Sequence, residues 1–118
     1  MELGILIRTS KNKVKLGSFE EAKSLSKQAL GVMGRDEIKR PMVFFLNPKE
    51  DGHTFHTFFC TKLSMVFLDS GKKVIAIHPV VSPFSLVTSP SNASFLIEDS
   101  PNNFEKIDLK VGDIIDFS

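Results

Sequence analysis

Tryptophan and tyrosine are absent, so all eleven aromatic side chains of the 118-residue chain are Phe. A Phe ring buries area without a hydroxyl or indole N–H that would need a partner, which suits the whole set to a dry core. Protein-binding surfaces typically draw on Tyr and Trp for their anchors, and neither is available here. Cys60 is the single cysteine. It excludes an intramolecular disulfide and fits a reducing compartment. No apolar run approaches the roughly 18 residues of a membrane span. The apolar stretch within Met1–Arg8 is too short for a secretory leader and has no basic region before it. These absences lead to the expectation of a soluble, cytoplasmic protein without membrane association. A chain of this length, 42% hydrophobic, can bury roughly two-thirds of its unfolded surface and form one β-rich domain over residues 1–118 without staples.

The formal charge of +1 conceals an asymmetry. Residues 1–40 carry nine Lys/Arg against five Asp/Glu, whereas residues 41–118 carry six against nine. The basic third includes Arg8, Lys11, Lys13, Lys15, Lys23 and Lys27. A polyanion patch normally comes with exposed aromatics or a recognisable motif. Neither accompanies these residues, so a solvated face that keeps the chain soluble is the preferred reading, and nucleic acid is not an expected partner.

Along the chain, Ile5–Arg8 and Lys13–Leu16 read as strands of an opening hairpin around Ser10-Lys11-Asn12. Ser18-Phe19-Glu20-Glu21 has the pattern of a capping box. Phe19, Ala22, Leu25 and Ala29 then recur at helical spacing up to a stop at Gly31, which predicts one helix near the N-terminus. From Met42 the pattern becomes strand-like. Met42–Leu46 is continuously apolar, and Thr54–Phe59, Leu63–Leu68 and Val74–His78 follow as an expected three-strand antiparallel meander, its second turn at Asp69-Ser70-Gly71-Lys72. Residues 79–92, rich in Pro and Ser, read as a long loop. Ala93–Glu98 is another strand, Asn102–Lys106 a helical turn and Ile114–Phe117 a terminal strand. About eight short strands and one helix predict a mainly β fold, an antiparallel β-sandwich or half-open barrel.

Several clusters have chemical potential. His53, His56, Cys60 and His78 offer nitrogen and sulfur ligands for a metal, with His78 expected near Leu63 at the far end of its hairpin and within reach of Cys60. The spacing matches no established zinc signature, and no CxxC accompanies it. A Cys60 nucleophile with His56 or His78 as base lacks a small-residue elbow and oxyanion donors, and Phe58-Phe59 beside it suggests burial. Ser64, inside a strand without a nearby Asp-His pair, is a weaker nucleophile still. Gly31-Val32-Met33-Gly34-Arg35 closes a helix instead of opening one, which sets aside a phosphate loop. It leaves Gly31 as a helix stop, Met33 as a core anchor and Arg35 as an ion-pair partner. Val111-Gly112-Asp113 reads as a turn, with Gly112 at positive φ and Asp113 bonding to the backbone.

Four segments in this order, Ala29–Arg35, His53–Phe59, Phe67–Val74 with its Asp69 and Gly71, and Leu109–Asp113, resemble the family called domain of unknown function 192, also named uncharacterised protein family 0127. The resemblance runs from about residue 18 onward and implies a compact prokaryotic β-rich domain with no assigned reaction. Relatives commonly show an apolar-Pro-apolar-Asp run before the Phe-Leu-Asp segment; here Lys62 stands near the Pro position and Ser64 near the Asp position. Gly34 likewise replaces the aromatic usual after the motif's Met.

The expected function is non-enzymatic ligand or partner binding, in a groove between the Pro79–Pro90 segment and the strand carrying His56 and Phe58. Candidate contact residues are His56, Phe58, His78, Ser82 and Ser85. No catalytic residue and no cofactor is assigned. The alternatives are a metal- or thiol-dependent hydrolase built on His53, His56, Cys60 and His78, and polyanion binding through the basic N-terminal hairpin.

Overall fold

A computed structural model describes residues 3–8, 14–22, 41–48, 50–56 and 62–117. Within them the fold is mainly β. The strands are β1 (Leu3–Arg8), β2 (Val14–Ala22), β3 (Met42–Phe45), β4 (Thr54–His56), β5 (Leu63–Leu68), β6 (Val74–Val81), β7 (Leu86–Thr88), β8 (Phe95–Asp99) and β9 (Ile115–Phe117); the helix α1 spans Pro101–Ile107. Seven strands form one sheet in the order β6-β5-β8-β3-β2-β1-β9, and β4 pairs with β7 in a second, two-stranded sheet.

Strict alternation along β5 explains the two-faced core. Leu63, Met65 and Phe67 pack in one cluster with Met42, Phe44 and Leu96. Val66 and Leu68 pack in another with Val43, Ile97, Val74, Ile115 and Phe117. A strand whose side chains are all buried, here all apolar but Ser64, must have both faces covered. The second cluster joins residues of β6 and β9, the two edges of the large sheet, so this face is the inside of a curl. The edges meet at one bridge, Lys73 to Ile114, supported by backbone bonds from Val74 N to Asp113 O and from Ile115 N to Lys72 O. The result is a part-open barrel whose seam is not continuously paired.

Lys72 secures that seam. It adopts φ 65° at the end of the β5–β6 turn, and its Nζ reaches Asp116 Oδ1 at 3.2 Å and the Phe117 carbonyl at 3.3 Å, 4.5 Å over the Phe117 ring. Asp69 Oδ1 holds the turn by accepting from the Gly71 and Lys73 amides. Gly112, at φ 97°, and Asp113, whose Oδ2 accepts from the Lys110 amide, form the turn expected before β9. Gly31, Met33 and Arg35 lie outside the described residues.

Five expectations require correction. Ser18–Ala22 is not a helix start but the second half of β2, paired antiparallel with β1 (Leu3 opposite Glu20) and parallel with β3 (Glu20 opposite Met42). Pairing on both sides outweighs a local capping pattern, since propensity is a weak prior against tertiary context. The remainder of that predicted helix, residues 23–31, lies outside the described residues; among the described residues the helix is on the C-terminal side, α1. The large sheet is mixed, not wholly antiparallel, and the connection from Ala22 to Met42 has the length a parallel crossover needs. The meander is absent: β4 pairs with β7, and β5 lies between β6 and β8. Residues 79–92 are not one loop, because β6 extends to Val81 and β7 occupies Leu86–Thr88. Pro79 is tolerated there because β6 is an edge strand of the large sheet.

Of the Phe set, Phe44 and Phe67 are fully buried. Phe45 is partly exposed and stacks at the edge of the second core cluster with Phe95 (5.4 Å between centroids) and Phe117 (6.3 Å), the latter two edge-to-face at 5.0 Å.

Candidate functional site

The central strand β8 ends in two adjacent carboxyls, and alternation sends them to opposite faces. Glu98 lies in register between Met42 of β3 and Met65 of β5 and is 7% exposed. Burial raises its pKa from 4.5 to about 8. Asp99 points into the barrel.

Asp99 is 2% exposed and directly opposite Ser64 of β5. Its Oδ1 accepts from the Ser100 amide at 2.7 Å and from Asn103 Nδ2 at 3.3 Å. Its Oδ2 is buried without a hydrogen-bond partner among the described residues. Burial raises the Asp99 pKa from 3.8 to about 6, partly opposed by the bonds from Ser100 and Asn103. The Ser64 hydroxyl donates to the Pro79 carbonyl at 2.6 Å. That carbonyl is available because the β5–β6 register shifts between Leu63 and Met65.

These two polar residues line a small cavity with Leu16, Pro41, Val66, Ile97, Phe104, Ile107, Leu109 and Ile115. It lies at one mouth of the barrel, beneath α1, and its free space admits about one water molecule. The helix over it starts at Ser100, whose hydroxyl accepts from the Asn103 amide. No residue of α1 is fully buried, so the cover is a short helix resting on the mouth by Phe104 and Ile107. The arrangement is a small cavity with an apolar surface, with the Asp99 carboxyl and the Ser64 hydroxyl set in its wall.

The residues singled out from the sequence lie mainly on the other face. His78 is opposite Met65, two strand positions short of the expected place beside Leu63, because β6 continues to Val81. Its ring stands edge-on to Phe67 at 5.9 Å. His53 has its Nε2 2.6 Å from the Asn47 carbonyl, held at a turn where Gly52, at φ 72°, is pressed against Ser89. The backbone of His56 pairs with Leu86, so the strands expected to wall a groove are hydrogen-bonded neighbours. Ser82 and Ser85 bracket the short turn from β6 to β7; Phe58 and Cys60 lie outside the described residues. Among the described residues no three His, Cys, Asp or Glu side chains gather to hold a metal ion. Arg8 of the basic third is spent internally, donating to the Asp108 carbonyl at 3.0 Å and lying 3.6 Å from Asp113.

Sequence reasoning did not single out Asp99, and weighed Ser64 as a weak nucleophile and as a residue near the Asp position of the resembled family. The available signal was two acidic residues ending an otherwise apolar strand, together with a Ser at a position where relatives of the resembled family carry Asp.

The family described as Uncharacterized ACR, DUF192, matches residues 6–117. No curated protein matches the chain. Among solved structures, the fold is similar to a protein of unknown function from Novosphingobium aromaticivorans, with a TM-score of 0.76 at 21% identity over 95% of this chain and 83% of that one. It is also similar to a candidate transcription regulator from Sinorhizobium meliloti, with a TM-score of 0.82 at 17% identity over 98% of this chain and 94% of that one. Likeness at these identities concerns the fold. Among the described residues, no helix is long and apolar enough to cross a membrane.

Proposed function

The chain belongs to the DUF192 family, and on that premise we propose that it is a non-enzymatic binding domain that takes a small, largely apolar ligand in the barrel mouth beneath α1. The observation that supports this reading is Asp99 Oδ2, buried beside a hydrocarbon-surfaced cavity and without a hydrogen-bond partner among the described residues. A buried polar atom without a partner costs roughly 1–3 kcal/mol, more when charged. A ligand able to bond it recovers that cost on binding. The α1 cover, with no fully buried residue, is the element that yields to admit the ligand.

Fragment screening with amide chemical-shift mapping tests the proposal. Shifts should centre on Asp99, Ser100, Phe104, Ile107 and Ile115. Binders that leave these amides unmoved would overturn it.

A second reading keeps the face expected from sequence, around His56, Phe58, His78, Ser82 and Ser85. Its support is apolar exposure beside the two serines: Val80, Phe84 and Leu86 are 58%, 67% and 67% exposed. Shifts confined to β6, β7 and the turn between them would favour that face. The regulator-like relative raises nucleic acid as a partner, but the internal engagement of Arg8 weighs against the basic N-terminal hairpin as a phosphate-binding surface.

A further inference from the structure

The chain passes from the large sheet to the small one through Ser82-Pro83-Phe84-Ser85, between the end of β6 and the start of β7. Val81 and Val87 turn into the core, so alternation sends Val80 and Leu86 outward, with Phe84 between them in the turn. Phe84 has φ 61°. With Pro83 before it, this is the pattern of a type II turn, in which Gly is the usual third residue. A bulky side chain at such a φ is a backbone outlier, and strain of this kind clusters where a side chain is held for a purpose. Residues 74–97 contain no Asp, Glu, Lys or Arg, in a chain that is 25% charged. Among the described residues, the charge that register sets beside this corner is Lys62, exposed just before β5, whose Leu63 pairs with Val81. Val80, Phe84 and Leu86 together leave about 400 Å² of largely apolar surface uncovered. Two copies apposed here would bury about 800 Å², the scale of a crystal contact and short of the roughly 1,200 Å² of a stable pair. A bilayer interface demands neither that area nor a complementary pocket. It takes apolar side chains below the headgroups and a lysine at the level of the phosphates. The shortness of the apolar runs in this chain bears on spanning a membrane, not on a corner that lies in its surface.

We propose that the corner formed by Val80, Phe84 and Leu86 inserts into the surface of an anionic bilayer, with Lys62 against lipid phosphate. The inference rests on the second reading above for its face and is independent of the barrel mouth. The whole chain is sedimented with vesicles of phosphatidylcholine and with vesicles of an equal mixture of phosphatidylcholine and phosphatidylglycerol. It should bind both, the mixed vesicles more tightly. Phe84→Gly should lower partitioning at least about tenfold, the loss of one inserted ring, and should keep the fold, because Gly accepts this φ without strain. Leu86→Ser should act in the same direction, as a second variant if the first does not fold. Lys62→Ala should remove the preference for the mixed vesicles while binding to phosphatidylcholine is retained. Val111→Ser, at a comparably exposed apolar residue in the turn before β9, should leave partitioning unchanged; a loss as large as that of Phe84→Gly would overturn the assignment to this corner. Self-association in sedimentation velocity that Phe84→Gly abolishes, without vesicle binding, would give the corner to a second copy and overturn the proposal. Absence of binding to either vesicle would overturn the lipid assignment. The face itself then stands if fragments shift the amides of β6 and β7, and falls with it if they do not.

Discussion

Replacing Glu98 by Gln should remove most of the pH dependence of stability in mildly alkaline solution. Glu98 lies in the central strand between Met42 and Met65, and burial raises its pKa from 4.5 to about 8. The folded chain therefore binds more protons than the unfolded chain between these values. The neutral carboxyl's stabilising effect is fully present below pH 4.5 and is lost as pH rises through 8. At about 1.4 kcal/mol per pKa unit, the whole shift corresponds to about 5 kcal/mol, comparable with the total stability of many small domains. Asp99 contributes in the same direction, but its window runs from 3.8 to about 6, so measurements above that range isolate Glu98. Between pH of about 6.5 and about 8.5, linkage gives a loss of about 2 kcal/mol for the wild-type chain. Glu98→Gln keeps the shape without a titrating proton and should be nearly flat over that interval. Urea unfolding of both proteins, with the slope checked for constancy across pH, measures the difference. A wild-type profile without this decline, or a parallel decline in Glu98→Gln, would refute the placement of a neutral carboxyl in this core.

Gly52→Ala should cost about 3 kcal/mol, because the new Cβ would overlap the Ser89 carbonyl at a residue already at φ 72°; thermal unfolding reads this directly, and a loss within about 0.5 kcal/mol would count against the close contact between the β4 and β7 segments. Lys72→Gly and Lys72→Ala both remove the clasp on β9, but the φ of 65° makes the Gly variant the more stable by about 1 kcal/mol, measurable by denaturant titration of the pair. Ser64→Ala leaves the Pro79 carbonyl without its donor and should cost about 1–2 kcal/mol, whereas Ser64→Asp should destabilise further as pH rises above about 6, since two facing carboxyls do not readily both ionise. Stability curves at two pH values distinguish these outcomes.

Legibility in the sequence followed the range of the interaction concerned. Leu63–Leu68 was readable end to end because five of its six residues are apolar, as in a strand covered on both faces, and the turn after it because Asp69 and Gly71 act over two to four residues. The helical turn over Asn102–Lys106 and the strand near Ile114–Phe117 were similarly local. Ser18–Ala22 misled because its caps are local but its partners, β1 and β3, are not. Residues 79–92 misled because Pro and Ser mark loops on average and carry no information that an edge strand will accept them. Asp99 was hidden for a related reason. An acidic residue at a strand end ordinarily faces water, and its burial arises only because β5 sets Ser64 opposite it and α1 folds over the mouth.

The seam at Lys73 and Ile114 also bears on the order in which the molecule can be made. β1 pairs with β9, Leu6 opposite Phe117, so a strand made early waits for one made much later. Until then its outer edge offers unpaired amides and carbonyls to any neighbouring chain. Sheet completion thus depends on a strand made long after its partner, and the interval before β9 arrives is when nascent copies are most open to pairing with one another.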